Sequence, residues 1–585
     1  MSFILPADPR EALDWEWPRF KSYYDELAAR KLGPDTLAEW MSDWTAIAAL
    51  VSEAGNRLKV ALDLHSDNEV MEARFTDFLE AVAEPAQTAE QELKKKLLAS
   101  GLEPAGFEIP LRNMRAEAAL YREDNLPLFT EHEKTALEYD KVVGARSVSW
   151  EGKEYTVTQL VGRLSGADRG TRERGWRLAM DRVLQDSPSI DATWTRLMAI
   201  RARMAANAGY PDYRSFAWQQ KLRLEYSPKD CETFRDAIEE VVVPAAKRVY
   251  EARARRLGLG SLRPWDVSVD VMRQTDINVD CFGRPALRPY ADVAELETKI
   301  ERVFNKVDPR LGAYFATMKR EGLYDLDNYK GKTPGAYCTD YPASRRPFVL
   351  MNAAGGAGDV DTLLHEMGHA FHAFRVFENP ELRYHQLWSY PLEFAEVASM
   401  SMELLGSPFL TKAEGGFYTE EESARAAIMH MEQFLLFWPF MAVVDGFQHW
   451  AYEAGSGGRA KGADPEACDE AWSGLWDRFI QGVDWSGLEA AKAKGWQRKL
   501  HPFHYPFYYV EYGFAQLGAV QVFRRSLEDR AEAVSRYLNG LSLGSSASLK
   551  GLFEATAGTF AFDAPALREA TALLEERIAI EEKKL

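Results

Sequence analysis

The sequence predicts a mainly α-helical chain with two small extended elements. Long stretches either repeat apolar residues near every 3.6 positions or are dense in Ala, Glu, Lys and Leu, the strong helix formers. Extended patterning is confined to residues 147–157 and 334–352. Apolar residues make up 46 % of 585, enough for a large core, and the length suggests about two to four domains.

Taken in order, residues 1 to about 145 read as helices, most clearly from Ala81 to Ala99, where the charges form a solvated face. In Ser147–Val157, the residues Val148, Trp150, Tyr155 and Val157 flank Glu151-Gly152, which predicts a hairpin. Helical patterning resumes from Thr171 to Tyr250. The stretch Leu262–Pro289 is irregular, with Pro264, Pro285 and Pro289 as breakers. Alternating Tyr337, Thr339 and Tyr341, followed by the run Phe348–Asn352, predict two short strands. Such a ribbon either pairs with an extended peptide backbone or is purely structural. After residue 360 the pattern is helical again, interrupted by a surface loop at Gly455–Gly462 that contains Gly457-Gly458. No repeat and no clear linker divides the chain. The working division is an N-terminal helical lobe, 1–190, and a second lobe, 191–585, with interleaving expected.

Net charge is −18, which argues against nucleic acid and anionic membranes as main partners, since both are polyanions. The four cysteines, Cys231, Cys281, Cys338 and Cys468, are far apart and suggest neither a disulfide framework nor a thiolate metal site. The segment Met1–Phe20 is too charged for a secretory leader, and no uninterrupted apolar run reaches the ~18 residues of a membrane span. A cytoplasmic location is expected. Eight of the ten histidines fall between His365 and His504, so the chemistry is expected in the C-terminal half.

The most informative segment is His365-Glu366-Met367-Gly368-His369, an H-E-x-x-H motif. Val360, Leu363, Leu364, Met367, Ala370, Phe371 and Phe374 recur at helical spacing around it, and Asp359 or Asp361 can cap the start after Gly355-Gly356-Ala357-Gly358. On a helix, residues four apart lie one above the other. His365 and His369 can therefore offer two imidazoles to one metal ion, with Glu366 beside them as a base for water, the arrangement of a zinc peptidase. The plain alternative is two ordinary helix histidines.

A catalytic zinc takes three protein ligands. His372 and Arg375 stand where a metzincin extension would place Gly and His, so the third ligand must come from elsewhere. The segment Pro391–Glu403 is helix-compatible and unusually apolar around Glu393, Glu396 and Glu403, where an ionised carboxylate needs a partner. Glu396 can bind the metal directly and Glu403, on the same face, can hydrogen-bond a ligand histidine. Pairing with Arg or Lys is the competing reading for all three. His385 can touch substrate or merely pack.

The segment His501–Gly513 holds His501, His504, Tyr505, Tyr508, Tyr509 and Tyr512. It reads as a loop from His501 to Tyr505 running into a helix with Pro506 near its first turn. A Tyr hydroxyl there can donate to an oxyanion; an aromatic core cluster is the alternative.

Asp359–Ala370, Phe394–Glu403 and His501–Tyr512, in that order, resemble the oligoendopeptidase F and thimet oligopeptidase family of zinc metallopeptidases. Gly335–Cys338 and Phe348–Asn352 resemble the oligoendopeptidase F branch. The strong likeness covers roughly residues 335–520. The resemblance implies a helical fold with a deep substrate channel between two lobes, one zinc ion on its floor, and cleavage of internal bonds in short oligopeptides. It implies zinc ligation by His365, His369 and Glu396, and the base role for Glu366. It implies substrate and transition-state contacts for His501, Tyr505, Tyr509 and Tyr512, although the spacing is one residue shorter than in the thimet branch and leaves Tyr508 and Tyr509 as rivals. A metallocarboxypeptidase on a similar fold and a non-catalytic peptide binder are the alternatives.

Overall fold

A computed structural model describes residues 3–164, 168–267, 281–455, 459–556 and 558–585. Much of the irregular 262–289 stretch and the Gly457-Gly458 loop tip lie outside those residues. The helices used below are α1 (Leu37–Leu64), α2 (Ser187–Asn207), α3 (Ala357–Glu378), α4 (Leu392–Gly406), α5 (Glu420–Ala451), α6 (Leu500–His504) and α7 (Tyr509–Glu528). The strands are β1 (Ser147–Trp150), β2 (Lys153–Thr156), β3 (Tyr324–Asp327), β4 (Tyr337–Tyr341) and β5 (Arg346–Ala353). The rest of the described secondary structure is helical, as the sequence predicts.

The chain forms two compact units, each built from three segments. The first holds Met1–Ala118, Arg288–Ser423 and Gly518–Phe560; the second holds Ala119–Leu287, Ala424–Leu517 and Ala561–Leu585. Three of these boundaries fall inside helices, Glu108–Leu120, α5 and α7, which explains why no Gly- or Pro-rich linker marks them.

In the first unit, Phe20, Trp40, Trp44, Leu97 and Phe107 anchor a core that also receives Ala373, Val376 and Phe377 from the end of α3. Its sheet has the order β3-β5-β4, with β3 parallel and β4 antiparallel to β5. β5 is central, so Phe348–Met351 are all buried and read as a continuous apolar run. The short β3 is an element that the sequence pattern does not reveal. β4 lies at the edge.

In the second unit, β1 and β2 form the expected hairpin, with Glu151 and Gly152 both at positive φ, as a two-residue turn requires. Its core is aromatic: Trp194 of α2 packs edge-on to Trp496 and Phe503, and Phe447 of α5 meets Trp472 and Trp496. Among the described residues α5 is the one helix long and apolar enough to cross a membrane; 78 % of its apolar window is buried in the protein, as in a core helix.

Two buried imidazoles, His132 and His372, and the half-buried His385 are expected to make the fold acid-sensitive. Burial, reinforced by the Arg201 cation, pushes His132 down to about 3; burial with His369, and burial with Lys94, do the same for His372 and His385. Above pH ~6.5 these groups are neutral whether the chain is folded or not. As pH falls from there toward 3, the unfolded chain binds protons that the folded one refuses, so stability drops by up to about 1.4 kcal/mol per pH unit for each group. Both nitrogens of His372 are buried without a hydrogen-bond partner among the described residues, and its ring stacks on Tyr390 at 3.7 Å. His372→Phe keeps the stack, and is expected to flatten the stability-versus-pH curve between 6 and 4, read by urea unfolding. An unchanged slope refutes the assignment.

Candidate metal centre

Helix α3 begins immediately after the central strand. Gly355 turns the chain at φ +83° and Gly356 is the N-cap. Of the two aspartates expected to cap the helix, Asp359 does so, from the first turn and not as the N-cap residue; it reaches back, accepting from the N–H groups of Ala354 at 2.8 Å and Gly356 at 2.9 Å. The Tyr290 hydroxyl donates to the same carboxylate and accepts from the Gly355 N–H at 2.9 Å. The entry to α3 is thereby locked to β5. Val360, Leu363, Leu364, Met367, Ala370, Phe371 and Phe374 are all buried, as the periodicity requires.

Helix α4 lies against α3 at backbone distance. A Cβ on Gly368 would stand 2.6 Å from the Ser399 Cα and 2.7 Å from the Ala398 carbonyl oxygen. The Tyr537 hydroxyl donates to that same Ala398 carbonyl at 2.8 Å and holds α4 from its far side. This approach carries Glu396 to the histidines. Its Oε2 lies 3.2 Å from His365 Nε2 and 3.5 Å from His369 Nε2. The three ligand atoms fall within 4.8 Å of one another, and among the described residues this trio is the group able to hold a metal ion. Glu393 is buried too but is not part of it. Glu403 takes the other position considered: its Oε1 lies 2.6 Å from His365 Nδ1, which leaves Nε2 facing the trio. Ser399 Oγ donates to Glu396 Oε2 at 2.9 Å.

Two imidazoles and a carboxylate are a donor set suited to zinc. The electrostatics fit a cation as well. Glu366, Glu396 and Glu403 concentrate three carboxyls around two imidazoles in a largely buried place. Burial opposes charge on His365, but its bonds to Glu396 and Glu403 outweigh that and hold the imidazole well above its usual value. Glu396 is held well below its own despite burial, chiefly by His369 and the bond to His365. Glu366 is raised by burial, is 7 % exposed, and receives no hydrogen bond from any described residue. It is therefore free to exchange a proton with a molecule in the site.

His372 does not join the trio, as its stack on Tyr390 shows. His385 packs edge-on to Trp44 at 5.3 Å, with Nδ1 at 3.2 Å from Thr45 Oγ1.

His501, Tyr505, Tyr508, Tyr509 and Tyr512 gather in the second unit. His501 lies 4.6 Å from the Tyr509 ring and 5.7 Å from Tyr508, and Tyr508 meets Tyr512 at 5.1 Å. The local path differs from expectation. His501–His504 is the short helix α6, and a turn over Tyr505–Tyr508 precedes α7, so Pro506 lies outside both helices. Phe507 sits at φ +65°, a conformation that costs about 1–3 kcal/mol for such a residue. The turn is pinned on several sides. Arg201 of α2 donates to the carbonyls of Pro502 and Phe503, Arg223 to that of Phe507 at 2.6 Å, and the Phe507 N–H donates to Gln448 Oε1 at 2.6 Å. These anchors come from distant parts of the chain and have no local sequence signal. Tyr509 is 2 % exposed against Phe437 and Phe440, whereas Tyr505 is 55 % exposed. His501, Tyr508 and Tyr512 are half-buried, and His504 pairs with Asp140 at 3.0 Å.

Residues 164–571 match the model of peptidase family M3. Oligopeptidase PepF of Bacillus subtilis is 28 % identical over 244 residues, 40 % of this chain and 34 % of that protein. An oligoendopeptidase F homolog of Lactococcus lactis is 26 % identical over 311 residues, 52 % of this chain and 47 % of its own length. The chain thus spans about a third to a half of the length of the curated relatives it matches. Over almost the whole of both chains, the structure is similar to PZ peptidase A with an inhibitor, at TM-score 0.84 and 23 % identity, covering 98 % of this chain and 100 % of that one. It is also similar to oligoendopeptidase-F from Enterococcus faecium, at TM-score 0.60 and 15 % identity, covering 99 % of each. At these identities the likeness establishes a shared fold.

Proposed function

The chain belongs to peptidase family M3, and on that premise we propose that it is a zinc-dependent endopeptidase that hydrolyses internal bonds of short oligopeptides. The observation that carries this reading is the convergence of His365 Nε2, His369 Nε2 and Glu396 Oε2 beside an unpartnered, buried Glu366. His365, His369 and Glu396 would hold the ion. When bound, zinc supplies Lewis acidity, which makes water nucleophilic near neutral pH and withdraws charge from a carbonyl oxygen.

The remaining work falls to the chain's own groups. Glu403 fixes the ring of His365 through Nδ1. Glu366 accepts the proton of the attacking water and delivers it to the leaving amine; burial, which raises its pKa, suits that exchange. His501 and Tyr512 donate to the carbonyl oxygen as charge develops, with Tyr505 and Tyr509 assigned to substrate contact and support of His501. The edge strand β4 pairs with the extended peptide backbone. The reading includes a cytoplasmic location, in keeping with four free thiols.

Internally quenched peptides blocked at the C-terminus test it. Metal-dependent internal cleavage, lost with a chelator and restored by zinc, is expected; cleavage of unblocked C-termini alone would indicate a carboxypeptidase, and none at all a binding protein. Glu396→Ala is expected to lower bound zinc below one tenth of the protein, measured by elemental analysis; full occupancy would move the third ligand to Glu393. Tyr512→Phe is expected to lower kcat by about tenfold or more with little change in KM, the mark of a contact made in the transition state. A change confined to KM would make it a substrate binder.

A further inference from the structure

The two faces of β4 meet different surroundings. The Tyr337 hydroxyl donates to Asp63 of α1 at 2.7 Å, and the Arg57 guanidinium of α1 lies 3.9 Å from the centre of the Tyr341 ring. Successive side chains on a strand point to opposite faces, so Cys338 and Asp340 face away from those contacts. Their neighbours are the metal-site groups. Burial and the carboxylates of Asp340 and Glu366 raise the Cys338 thiol well above its ordinary value. Burial raises Asp340 to about 6, against the pull of His369. β4 also contacts α3, so the face that carries Asp340, turned away from α1, lies within electrostatic reach of His369. Like Glu366, its carboxyl receives no hydrogen bond from any described residue.

The backbone at this edge has a defined direction. Pro347, opposite Asp340 in the register, has no N–H. Asp340 and Pro347 are thus a non-hydrogen-bonded pair, and by alternation the N–H and C=O groups of Cys338 and Asp340 point outward from the sheet. Asn56 of α1 donates to the Asp340 carbonyl at 2.8 Å and occupies the far end of that edge. A peptide strand laid here pairs with both outward groups of Cys338 and reaches Asp340 through its N–H, since Asn56 holds the carbonyl. Cross-strand neighbours share a face, so the residue opposite Asp340 brings its side chain alongside the unpartnered carboxyl.

We propose that Asp340 is a specificity-determining residue that selects peptides carrying a cationic group beside the metal centre, either a Lys or Arg side chain or a free N-terminal ammonium. The inference rests on the peptidase reading above and on the pairing of substrate with β4. An ammonium or guanidinium brings both the charge and the hydrogen-bond donors that Asp340 lacks, and a half-buried carboxyl rewards them more than a solvated one does.

The test compares zinc-loaded wild type with Asp340→Asn. The substrates are quenched peptides that differ at one position, Lys against norleucine or Arg against citrulline, each with a free or acetylated N-terminus. Wild type is expected to prefer one cationic form by about tenfold or more in kcat/KM, and Asp340→Asn to reduce that ratio to about twofold with zinc content unchanged. The arm that carries the preference separates side chain from terminus. A second readout is the Kd of the same pairs for Glu366→Gln with and without Asp340→Asn, by fluorescence anisotropy, where the same loss of ratio is expected. Equal losses for cationic and neutral peptides, or loss of zinc, would overturn the proposal and make Asp340 a support of the metal. Absence of any preference in wild type would also overturn it while leaving the peptidase reading intact. Absence of all cleavage would instead defeat that reading, and the binding ratios would still decide on Asp340.

Discussion

A Glu366→Gln variant is expected to keep its zinc and to lose about 10²–10⁴-fold in kcat, the usual worth of a positioned general base. Gln preserves the volume of Glu and removes only the capacity to take a proton. Glu366 contributes no ligand atom to the trio and receives no hydrogen bond within the described protein, so neither the metal set nor the packing should notice the change. Elemental analysis and thermal unfolding should match wild type. A variant with full zinc and activity within a few-fold of wild type would exclude Glu366 as the base. A variant that lost zinc would show that Glu366 contributes to holding the ion.

The second large effect is expected at Gly368, an unspecified position of the histidine motif. Gly368→Ala puts a methyl 2.6 Å from the Ser399 Cα and 2.7 Å from the Ala398 carbonyl oxygen. Both obstacles are backbone, so no rotamer change relieves the clash and α4 must move away from α3. Overpacking of this kind costs about 1–3 kcal/mol. Because Glu396 lies on the displaced turn, zinc affinity is expected to fall about 10–100-fold, as when a ligand's supporting contacts are removed. Denaturant unfolding of the zinc-free protein and zinc titration separate the two effects. Gly474→Ala supplies the control. That glycine is inside helix Pro465–Phe479 with nothing within 4 Å of a Cβ, and the same substitution is expected to be neutral or to stabilise by about 0.5–1 kcal/mol. Equal behaviour of the two variants would refute the close-approach argument.

Much of the site was legible because it is local. His365, Glu366 and His369 lie within one and a half turns of a helix whose apolar positions announce it, and Glu403 was identifiable as a partner by its spacing from Glu396. The entry to α3 was less legible. Asp359 was visible as a helix-start residue, but its reach back to Ala354 and Gly356 depends on the turn at Gly355 and on Tyr290, which arrives from 65 residues away. The His501 segment stands out as a concentration of histidine and tyrosine, yet its course differs from the expected loop and helix. Pro506 suggested a helix start, whereas Phe507 is held at positive φ by Gln448 and Arg223, from other elements of its unit. Asp340 has no signature in the sequence, because a single aspartate on a short strand shows which way it faces only through the register.

By itself, the sequence determined the helical class, the strand-to-helix passage into α3, and the pair of histidines with its neighbouring glutamate. These follow from periodicity and spacing, which act over a few residues and are written in consecutive letters. Tertiary structure alone decided which of Glu393, Glu396 and Glu403 completes the trio, since that depends on how closely α4 approaches α3. It also decided that Tyr509 is buried while Tyr505 is exposed, and that Asp340 lies on the face of β4 turned away from α1. Each of these choices is made by contact between segments far apart in the chain, where backbone approach and register, not residue type, select the side chain that arrives.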